Sequence, residues 1–291
     1  MDAAFLWELF GYSILAGLIA GAVCPLVGCF LLVRRTGFYG ITLPQFAAAG
    51  VSFAFVLLPW WIRNIGLADL DLETALESPH AVMNYHLSWA AVFTFAGLGA
   101  LIAMGRRKET ETARVAASFA IASAATLLLA QASPTGMEYI ETLLRGEIVV
   151  VDVHEFETIA VGYGVVALCF ALFHRRLLAV SYDRSTARVL GVSVSLSEAL
   201  LLIMTGLTVS IGVWVVGPVV LFGLLVLPPL AARNLAGSMR SFYGWACALG
   251  IAAAVAGIWI SFQLDWSLGP SVVGVAAVEL VPCWLVGRLR G

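Results

Sequence analysis

Nine stretches of mostly apolar residues run through this sequence, and most are about as long as a helix that crosses a bilayer. Such a helix needs about 20 apolar residues, because a rise of about 1.5 Å per residue must cover roughly 30 Å of hydrocarbon. No water reaches backbone amides in the membrane interior, so helices rather than open strands are expected there. We place the spans at about 9–33, 44–62, 87–104, 115–131, 156–174, 197–213, 217–231, 242–262 and 271–287.

The composition supports the same fold class. Hydrophobic residues make up 61% of the 291 residues, charged residues only 12%, and the mean hydropathy is +0.97. A soluble core of this size cannot hide so much apolar surface. We therefore predict an all-α, polytopic transmembrane helical bundle formed by a single integral-membrane domain, residues 1–291. The first span should be retained, because no Lys or Arg precedes it as in a cleaved signal peptide.

The basic residues predict the orientation of the chain. If the nine spans alternate in direction, 14 of the 16 Lys and Arg residues fall on one side of the membrane and only Arg63 and Arg145 on the other. The positive-inside rule assigns the crowded side to the cytoplasm. We therefore expect an amino terminus outside, a carboxy terminus in the cytoplasm, and a location in the bacterial inner (plasma) membrane.

The acidic residues are concentrated on the predicted outer side. Four lie between the second and third spans and six between the fourth and fifth, among them Asp152, Glu155 and Glu157. Such a surface can attract cations or bind a basic patch of a partner protein, but charge runs also occur on surfaces that are merely solvated. The sequence leaves both interpretations open. His154 lies within this group, so it is a candidate metal ligand at the outer mouth or part of a contact with a binding protein.

Two segments favour a transport pathway over a simple membrane anchor. Residues 217–231 are short for a span and open with a Gly-Pro pair, and residues 136–152 are apolar but too interrupted to cross. We expect irregular or re-entrant backbone at both, which is tolerated at membrane depth only where protein or a water-filled cavity covers it. The first span also contains small residues spaced four apart, which allow close packing of two helices, ordinarily within the chain: Ser13, Gly17 and Gly21.

The sequence contains no motif for catalysis or nucleotide binding. No G-x-S-x-G, H-E-x-x-H or C-x-x-C sequence is present, and the five cysteines lie in apolar runs, where we expect them to pack between helices. The only lysine, Lys108, follows two arginines rather than a glycine-rich loop, so a phosphate-binding G-x-x-x-x-G-K-[ST] motif is excluded. We expect no enzyme activity, no nucleic-acid partner and no cofactor bound by this chain. Lipid surrounds it, and any ATP-driven step must occur on a separate chain.

A predicted cytoplasmic loop between the fifth and sixth spans, residues 175–196, contains three residues spaced four apart: Asp183, Ala187 and Gly191. On a helix this spacing places them on one face. Small residues at two of the positions leave a shallow surface for a partner, and Arg184 and Arg188 flank it. The D-x-x-x-A-x-x-x-G segment resembles the cytoplasmic coupling loop of the permease subunits of zinc, manganese and iron uptake ABC transporters.

The resemblance to this family extends over nearly the whole chain, apart from residues 63–86, which look like an inserted outer loop. Four further segments resemble, in order, the family's first cytoplasmic loop and second helix, its outer re-entrant segment and fifth helix, its short apolar helix, and its last outer loop and helix: residues 30–55, 142–161, 215–236 and 261–278. The resemblance implies a permease for zinc, manganese or iron whose path is formed by two copies, a homodimer. It also implies cytoplasmic ATPase subunits that bind ATP and a periplasmic or lipid-anchored solute-binding protein.

The sequence departs from the family at the second helix. In the family this helix usually carries an Asp and a His four residues apart that face the translocation path, whereas this chain has Ile41 and Gln45 there. Isoleucine offers no ligand and glutamine only one amide oxygen. A divalent cation would therefore lose its anionic and its imidazole ligand at this position.

Other polar residues are candidates for the translocation path: Thr42, Gln45, Gln263, Asp265 and Glu279. Asp265 matches an acidic position often seen in the family, and Glu279 lies near the middle of the last span, where an ionised side chain is costly and indicates a functional role. Both are candidate metal ligands. Ordinary interpretations stay open, with Glu279 hydrogen-bonded within the bundle or kept protonated by burial, and Thr42 and Gln263 as packing residues.

Two alternative functions follow. The same machinery would carry a metal chelate or another small polar solute, which the loss of the family's Asp and His favours. A membrane-embedded sensor or enzyme, with its chemistry in the outer acidic loops, is the alternative from another class. Association with an ABC ATPase would exclude it.

Overall fold

A computed structural model describes residues 3–34, 36, 39–65, 82–104, 111–133, 137, 141–142 and 151–290. Across these ranges the chain forms helices joined by turns and contains no strand. The helices are α1 (Ala3–Val33), α2 (Tyr39–Ile65), α3 (Met83–Ala103), α4 (Glu111–Ala132), α5 (Val153–Tyr182), α6 (Arg184–Val189), α7 (Val194–Val216), α8 (Pro218–Leu235), α9 (Met239–Leu264) and α10 (Leu268–Arg290).

Nine of the ten helices in the described ranges are long and apolar enough to cross a membrane, and they match the nine predicted spans in order. The exception is α6, which has six residues. Several helices extend beyond the predicted spans; α5, for example, continues to Tyr182. An apolar window detects only the part within hydrocarbon, whereas helical hydrogen bonding continues until a cap ends it. The predicted fold class is confirmed.

Four helices form the centre of the bundle: α1, α2, α7 and α8. More than half of the apolar stretch of each is buried. By contrast, α5 and α10 bury less than a quarter of theirs and expose apolar side chains over the rest. Because lipid tails are as apolar as these side chains, such exposure carries little cost in a membrane.

Contacts between helix ends show that α1 runs opposite to α7 and that α5 runs opposite to α9. Arg34, after the end of α1, contacts Glu198 near the start of α7, and Tyr182, which ends α5, contacts Met239, which begins α9. One end of the bundle, here named the basic end, carries Arg34, Arg114, Arg184, Arg188, Arg233, Arg240 and Arg288. The opposite end, here named the acidic end, carries Asp152, Glu155, Glu157 and Asp265. Both pairs run in the relative directions that the predicted topology requires.

Glycines bring α1 and α9 into close contact. A Cβ atom added to Gly21 would lie 2.6 Å from the Gly250 carbonyl oxygen, and one added to Gly250 would lie 2.1 Å from the Gly21 carbonyl oxygen. Gly17 also faces α9, and Ser13 is buried. The small-residue series of the first span therefore packs within the chain.

A single residue, Gly217, joins α7 to α8. Its φ of 85° lies in the left-handed region, which glycine adopts without the steric cost of a Cβ atom. Pro218 begins α8, where the missing N–H has no helical partner to lose. From there α8 is a helix of 18 residues, with Pro228 and Pro229 inside it, packed against α1, α9 and α10. The prediction of irregular backbone over 217–231 is therefore wrong apart from this turn.

Two predicted features lie largely outside the described residues. In the segment 136–152 the structure describes only Met137, Glu141 and Thr142, which are helical, and the last two positions. The inserted loop predicted at 63–86 is described only at its two ends, which belong to α2 and to the start of α3. Its four carboxylates and His80 lie outside the described residues.

Candidate functional site

The predicted coupling segment forms a short helix, α6, at the basic end. Asp183 ends α5 with an extended backbone and serves as the N-cap of α6. Its carboxylate accepts hydrogen bonds from the Ser185 amide and hydroxyl at 2.8 and 2.6 Å and from the Thr186 hydroxyl at 2.5 Å. These bonds hold the pKa of the Asp183 carboxyl well below its usual range, so the cap stays ionised. A charged N-cap fixes where α6 begins.

Gly191 fixes where α6 ends. Its φ of 77° lies in the left-handed region. Its amide donates to the Arg188 carbonyl at 3.1 Å, and the Val192 amide donates to the Ala187 carbonyl at 3.0 Å. This is the Schellman pattern of a helix C-terminus, which favours glycine. The predicted single helical face is therefore wrong, because Asp183 and Gly191 flank a six-residue helix and only Ala187 lies within it.

An exposed apolar pair lies at the tip of α6. Val189 and Leu190 are 87% and 71% exposed, whereas Ala187 is buried against the bundle. Arg184 and Arg188 are exposed on the same segment. Outside the spans, exposed apolar side chains rimmed by charged ones are typical of a protein-binding surface. The spacing of the small residues does not reveal this pair, because the exposure of Val189 and Leu190 follows from the shortness of α6.

The two path candidates of α2 lie against α4. Thr42 is fully buried, and its hydroxyl donates to the Val115 carbonyl at 3.5 Å. The side-chain oxygen of Gln45 accepts a hydrogen bond of 3.3 Å from the Ser123 hydroxyl. Ile41, the other position of departure from the family, is partly buried. These contacts join two helices, and neither Thr42 nor Gln45 carries the charge that favours binding of a bare divalent cation.

The two acidic path candidates border one groove between α9 and α10. Asp265 caps the C-terminus of α9 with a φ of 53°, and Glu279 lies at the middle of α10. The groove has a volume of about 950 Å³, and apolar residues such as Val275 and Pro282 form much of its lining. The Glu279 Oε2 atom is buried and has no hydrogen-bond partner among the described residues. A buried carboxylate oxygen without a donor is costly, so this groove is the strongest candidate for contact with a cargo or a second chain.

The remaining candidates are exposed at the acidic end. Gln263 lies in the last turn of α9 and outside the lining of the groove. His154 lies in the first turn of α5, with its Nδ1 atom 3.5 Å from Glu157 Oε2. Among the described residues, no group of three or more His, Cys, Asp or Glu side chains is placed to hold a metal ion. A metal site made only of such side chains is therefore absent from the described part of one protomer.

A buried polar network at the acidic end was not predicted. Glu155 is buried, and its carboxylate accepts hydrogen bonds from the Trp214 indole at 3.0 Å and from the Asp152 amide at 3.3 Å. The Trp214 ring stacks on His86, with ring centroids 5.1 Å apart. His86 lies in the first turn of α3 and is fully buried. The Asp152-x-x-Glu155 pattern is a capping-box signal that would have indicated part of this network.

We expect the Glu155→Ala variant to be less stable by about 2–4 kcal/mol, because it leaves the buried Trp214 N–H without its acceptor and removes the capping box. Thermal unfolding in mild detergent measures the loss. The control is Glu157→Ala, which removes an exposed carboxylate two residues away. Trp214→Phe should lower the stability less in the Glu155→Ala variant than in the unmodified protein, since the two residues interact. Equal stability of Glu155→Ala and the control would contradict the network.

This chain resembles known proteins along almost its whole length. The profile of the ABC 3 transport family matches residues 7–286. ZnuB of Haemophilus influenzae, the membrane protein of a high-affinity zinc uptake system, is 24% identical over 278 residues, which cover 95% of this chain and 97% of that protein. ScaB of Streptococcus gordonii, a manganese import system permease protein, is 24% identical over 291 residues, which cover 99% of this chain and 94% of that protein.

The fold is shared with a solved structure. In PsaBC from Streptococcus pneumoniae in complex with Fab, one chain matches this one over the full length of both, with a TM-score of 0.79 and 20% identity. The nine apolar helices of the described residues and the membrane-protein relatives make the chain a multi-pass protein of the plasma membrane. Because the family profile covers residues 7–286 of 291, this chain belongs to the ABC 3 transport family.

Proposed function

We propose that this chain is the membrane-spanning permease subunit of an ABC importer for a divalent metal ion, either zinc, manganese or iron. The observation that carries the proposal is the family match over residues 7–286, together with relatives named for zinc uptake and manganese import. The sequence has no nucleotide-binding motif of its own. Separate ATPase subunits therefore bind and hydrolyse the ATP that drives transport.

The charge distribution supports an assignment of the two ends. The arginine-rich basic end faces the cytoplasm, which leaves the amino terminus outside and the carboxy terminus inside. The acidic end then faces outward and receives a periplasmic or lipid-anchored solute-binding protein, because its carboxylates attract both cations and basic protein surfaces. His154, exposed beside Glu157, lies at this outer mouth.

The ATPase subunit binds to α6 in this proposal. This helix lies at the basic end, outside the nine candidate spans, and exposes Val189 and Leu190 next to Arg184 and Arg188. Caps at both ends fix its length, so it can move as one unit when the ATPase changes shape.

We expect Gly191→Trp to abolish the stimulation of ATP hydrolysis while the protein stays folded. A Cβ atom at Gly191 meets no other atom within 4 Å, so the added ring projects into the space assigned to the ATPase subunit. The positive φ adds strain of about 1–2 kcal/mol for an L residue. Gly191→Ala carries the same strain without the bulk and should keep most of the stimulation. ATPase assays on the reconstituted complex measure both variants.

Full stimulation by the Gly191→Trp protein, in a complex that purifies intact, would contradict the docking of an ATPase at α6. Equal loss in the alanine and tryptophan variants would assign Gly191 to helix termination alone. The thermal unfolding midpoint of each permease variant distinguishes a lost contact from a lost fold.

The transport path runs between two copies of this chain. Little of α10 is buried within its own protomer, and the groove that it forms with α9 places Asp265 and Glu279 on a largely apolar surface. A second copy over this surface shields the carboxylates from lipid and sets them beside the path. Thr42 and Gln45, which join α2 to α4, and Gln263 on the last turn of α9 are weaker candidates for contact with the cargo.

Transport by the complete complex tests the proposal. The chain is purified with its ATPase subunits, placed in vesicles, and supplied with binding protein and with zinc, manganese or ferrous iron. ATP-dependent accumulation of one of these ions is the expected result. Accumulation only when a chelator accompanies the metal would favour the chelate alternative, which the uncharged Ile41 and Gln45 support. Failure to bind any ATPase subunit would overturn the proposal and favour a membrane-embedded sensor or enzyme.

A further inference from the structure

The Glu198 carboxylate connects α6 to the end of α1. Its Oε1 atom forms ion pairs with Arg184 Nη2 at 2.7 Å and with Arg34 Nη2 at 2.9 Å, and Arg34 also donates a hydrogen bond to it. Arg184 is the first residue of α6, Arg34 directly follows α1, and Glu198 lies near the start of α7. Among the described residues, no other carboxylate lies within 4.0 Å of either guanidinium group. One oxygen atom therefore links three elements of the basic end.

Part of this link is shielded from solvent. The side chains of Arg34 and Glu198 are only 13% and 25% exposed, whereas that of Arg184 is 63% exposed. Burial lowers the pKa of the Arg34 guanidinium, and the nearby Glu198 carboxylate opposes that shift by favouring the charged form. Separating such a pair is costly, because each charge is then left poorly solvated and without its partner. Arg34 and Glu198 therefore stay together, while the solvated Arg184 can transmit force to them.

Open space surrounds the start of α6. Cavities of about 550 and 770 Å³ both border Tyr182, directly before the extended residue Asp183. The Tyr182 hydroxyl donates to Met239 Sδ at 3.3 Å. A thioether is a weak acceptor, so the ion pair between Arg184 and Glu198, with N and O atoms 2.7 Å apart, is the closer polar link between this segment and the bundle. The α6 segment thus borders open space, and Arg184 is its charged side-chain link to the bundle.

Arg34 also lies close in sequence to the start of α2, with Thr36 between them. The Thr36 amide donates to the Leu31 carbonyl, and the Tyr39 amide donates to the Thr36 carbonyl, both at 2.9 Å. These bonds tie Thr36 to the end of α1 and to the start of α2. A displacement of Arg34 is therefore passed on to α2, the helix that carries the path candidates Thr42 and Gln45.

We propose that Glu198 is a positioning residue that transmits movement of α6 to α1, α2 and α7 during ATP-driven transport. The inference rests on the proposed docking of an ATPase subunit to α6. When the ATPase displaces α6, Glu198 moves with Arg184 because the two are ion-paired, and the largely buried Arg34 moves with Glu198. Networks of ion pairs between rigid helices are a physical route for coupling of this kind.

The test compares transport with ATP hydrolysis in the reconstituted complex. Glu198→Gln and Arg184→Ala should each lower the number of ions transported per ATP by about tenfold, within the usual range of coupling between sites. The ATPase subunits should still co-purify with Glu198→Gln, which leaves the exposed side chains of α6 unchanged, and co-purification of Arg184→Ala separates a lost link from lost docking. The double variant should lose no more than either single one, because both substitutions break the same link. The control is Arg175→Ala, which removes an exposed arginine near the end of α5 that precedes α6. It should leave the number of ions transported per ATP unchanged.

The Arg184→Ala variant keeps the Arg34–Glu198 pair intact, so it remains informative if Glu198→Gln does not fold. A wild-type ratio of ions to ATP in either folded variant would overturn the inference, as would additive losses in the double variant. These outcomes leave the docking of α6 untouched, since stimulated ATP hydrolysis would still be observed. A wild-type chain that binds no ATPase subunit would instead overturn the proposed function, and this inference with it.

Discussion

The Gly28→Val variant is expected not to assemble, because α1 and α8 meet through their backbones at this position. A Cβ atom on Gly28 would lie 1.9 Å from the Leu225 carbonyl oxygen and 2.9 Å from Pro229 Cγ. Overpacking of a core usually costs about 1–3 kcal/mol, and here the clash is with backbone, which no change of rotamer relieves. We expect the yield of monodisperse protein in mild detergent to fall to the level of an unfolded control.

The matched control for this experiment is Gly164→Val. Gly164 is exposed on α5, and a Cβ atom there meets no other atom within 4 Å. Both variants replace glycine by valine within a candidate span, so they share the same change in helix propensity and hydrophobicity. A Gly28→Val protein with the yield and unfolding midpoint of the control would show that α1 and α8 do not pack as described.

The close approach at Gly28 follows from the sequence of α8. Pro229 has no N–H, so the carbonyl of Leu225, four residues earlier, lacks its helical donor. That carbonyl faces Gly28 instead, where the absence of a side chain lets the two helices approach. In a membrane, backbone groups freed by proline must be accommodated by neighbouring helices. The glycine and the proline therefore act together although they are far apart in the sequence.

The number and order of the spans could be predicted, because a bilayer imposes one length on every helix that crosses it. The packing partners could not be predicted in the same way. Spans that are apolar on all sides carry no polar stripe to mark the face that meets a neighbour. The contact between Gly21 and Gly250, for example, depends on two glycines from the first and ninth helices of the described chain.

The candidate coupling segment was located from its residues, but its shape was predicted wrongly. The spacing of Asp183, Ala187 and Gly191 suits one helical face, yet Asp and Gly are also the residues preferred at helix N-caps and beyond helix C-termini. The local capping preference decided the structure. As a consequence, Val189 and Leu190 are exposed at the tip of a short helix.

Polar residues near the ends of spans were the hardest to place. His86 and Glu155 both follow polar loops in the sequence, and composition alone predicts a solvated position for each. Both are buried because Trp214, from a distant span, stacks on one and donates a hydrogen bond to the other. A contact of this kind leaves no signal in the local sequence apart from the capping box at Asp152 and Glu155.

The Glu279→Gln variant is expected to transport metal at least about tenfold less. This is the size of loss typical when a residue that supports a bound metal is replaced. A carboxylate inside a span is costly and is normally paired, yet the buried Glu279 Oε2 atom has no partner among the described residues. The partner is then expected from outside the protomer, as the cargo or a second copy. ATP-dependent uptake of zinc, manganese or iron into vesicles measures the loss. Val281→Gln places the same amide at an exposed position of α10 outside the groove lining and should keep transport.

A second substitution, Glu279→Leu, separates this functional explanation from a structural one. If a group within the protomer paired with the carboxylate, leucine would break that pair and lower the unfolding temperature. If the partner lies outside the protomer, leucine replaces an unpaired buried polar group, so the stability of the isolated protomer should be kept or raised by about 1 kcal/mol. Transport should nevertheless be lost as with glutamine. A destabilised Glu279→Leu protein that transports in proportion to its folded fraction would mean that Glu279 holds the helices together and does not meet the cargo.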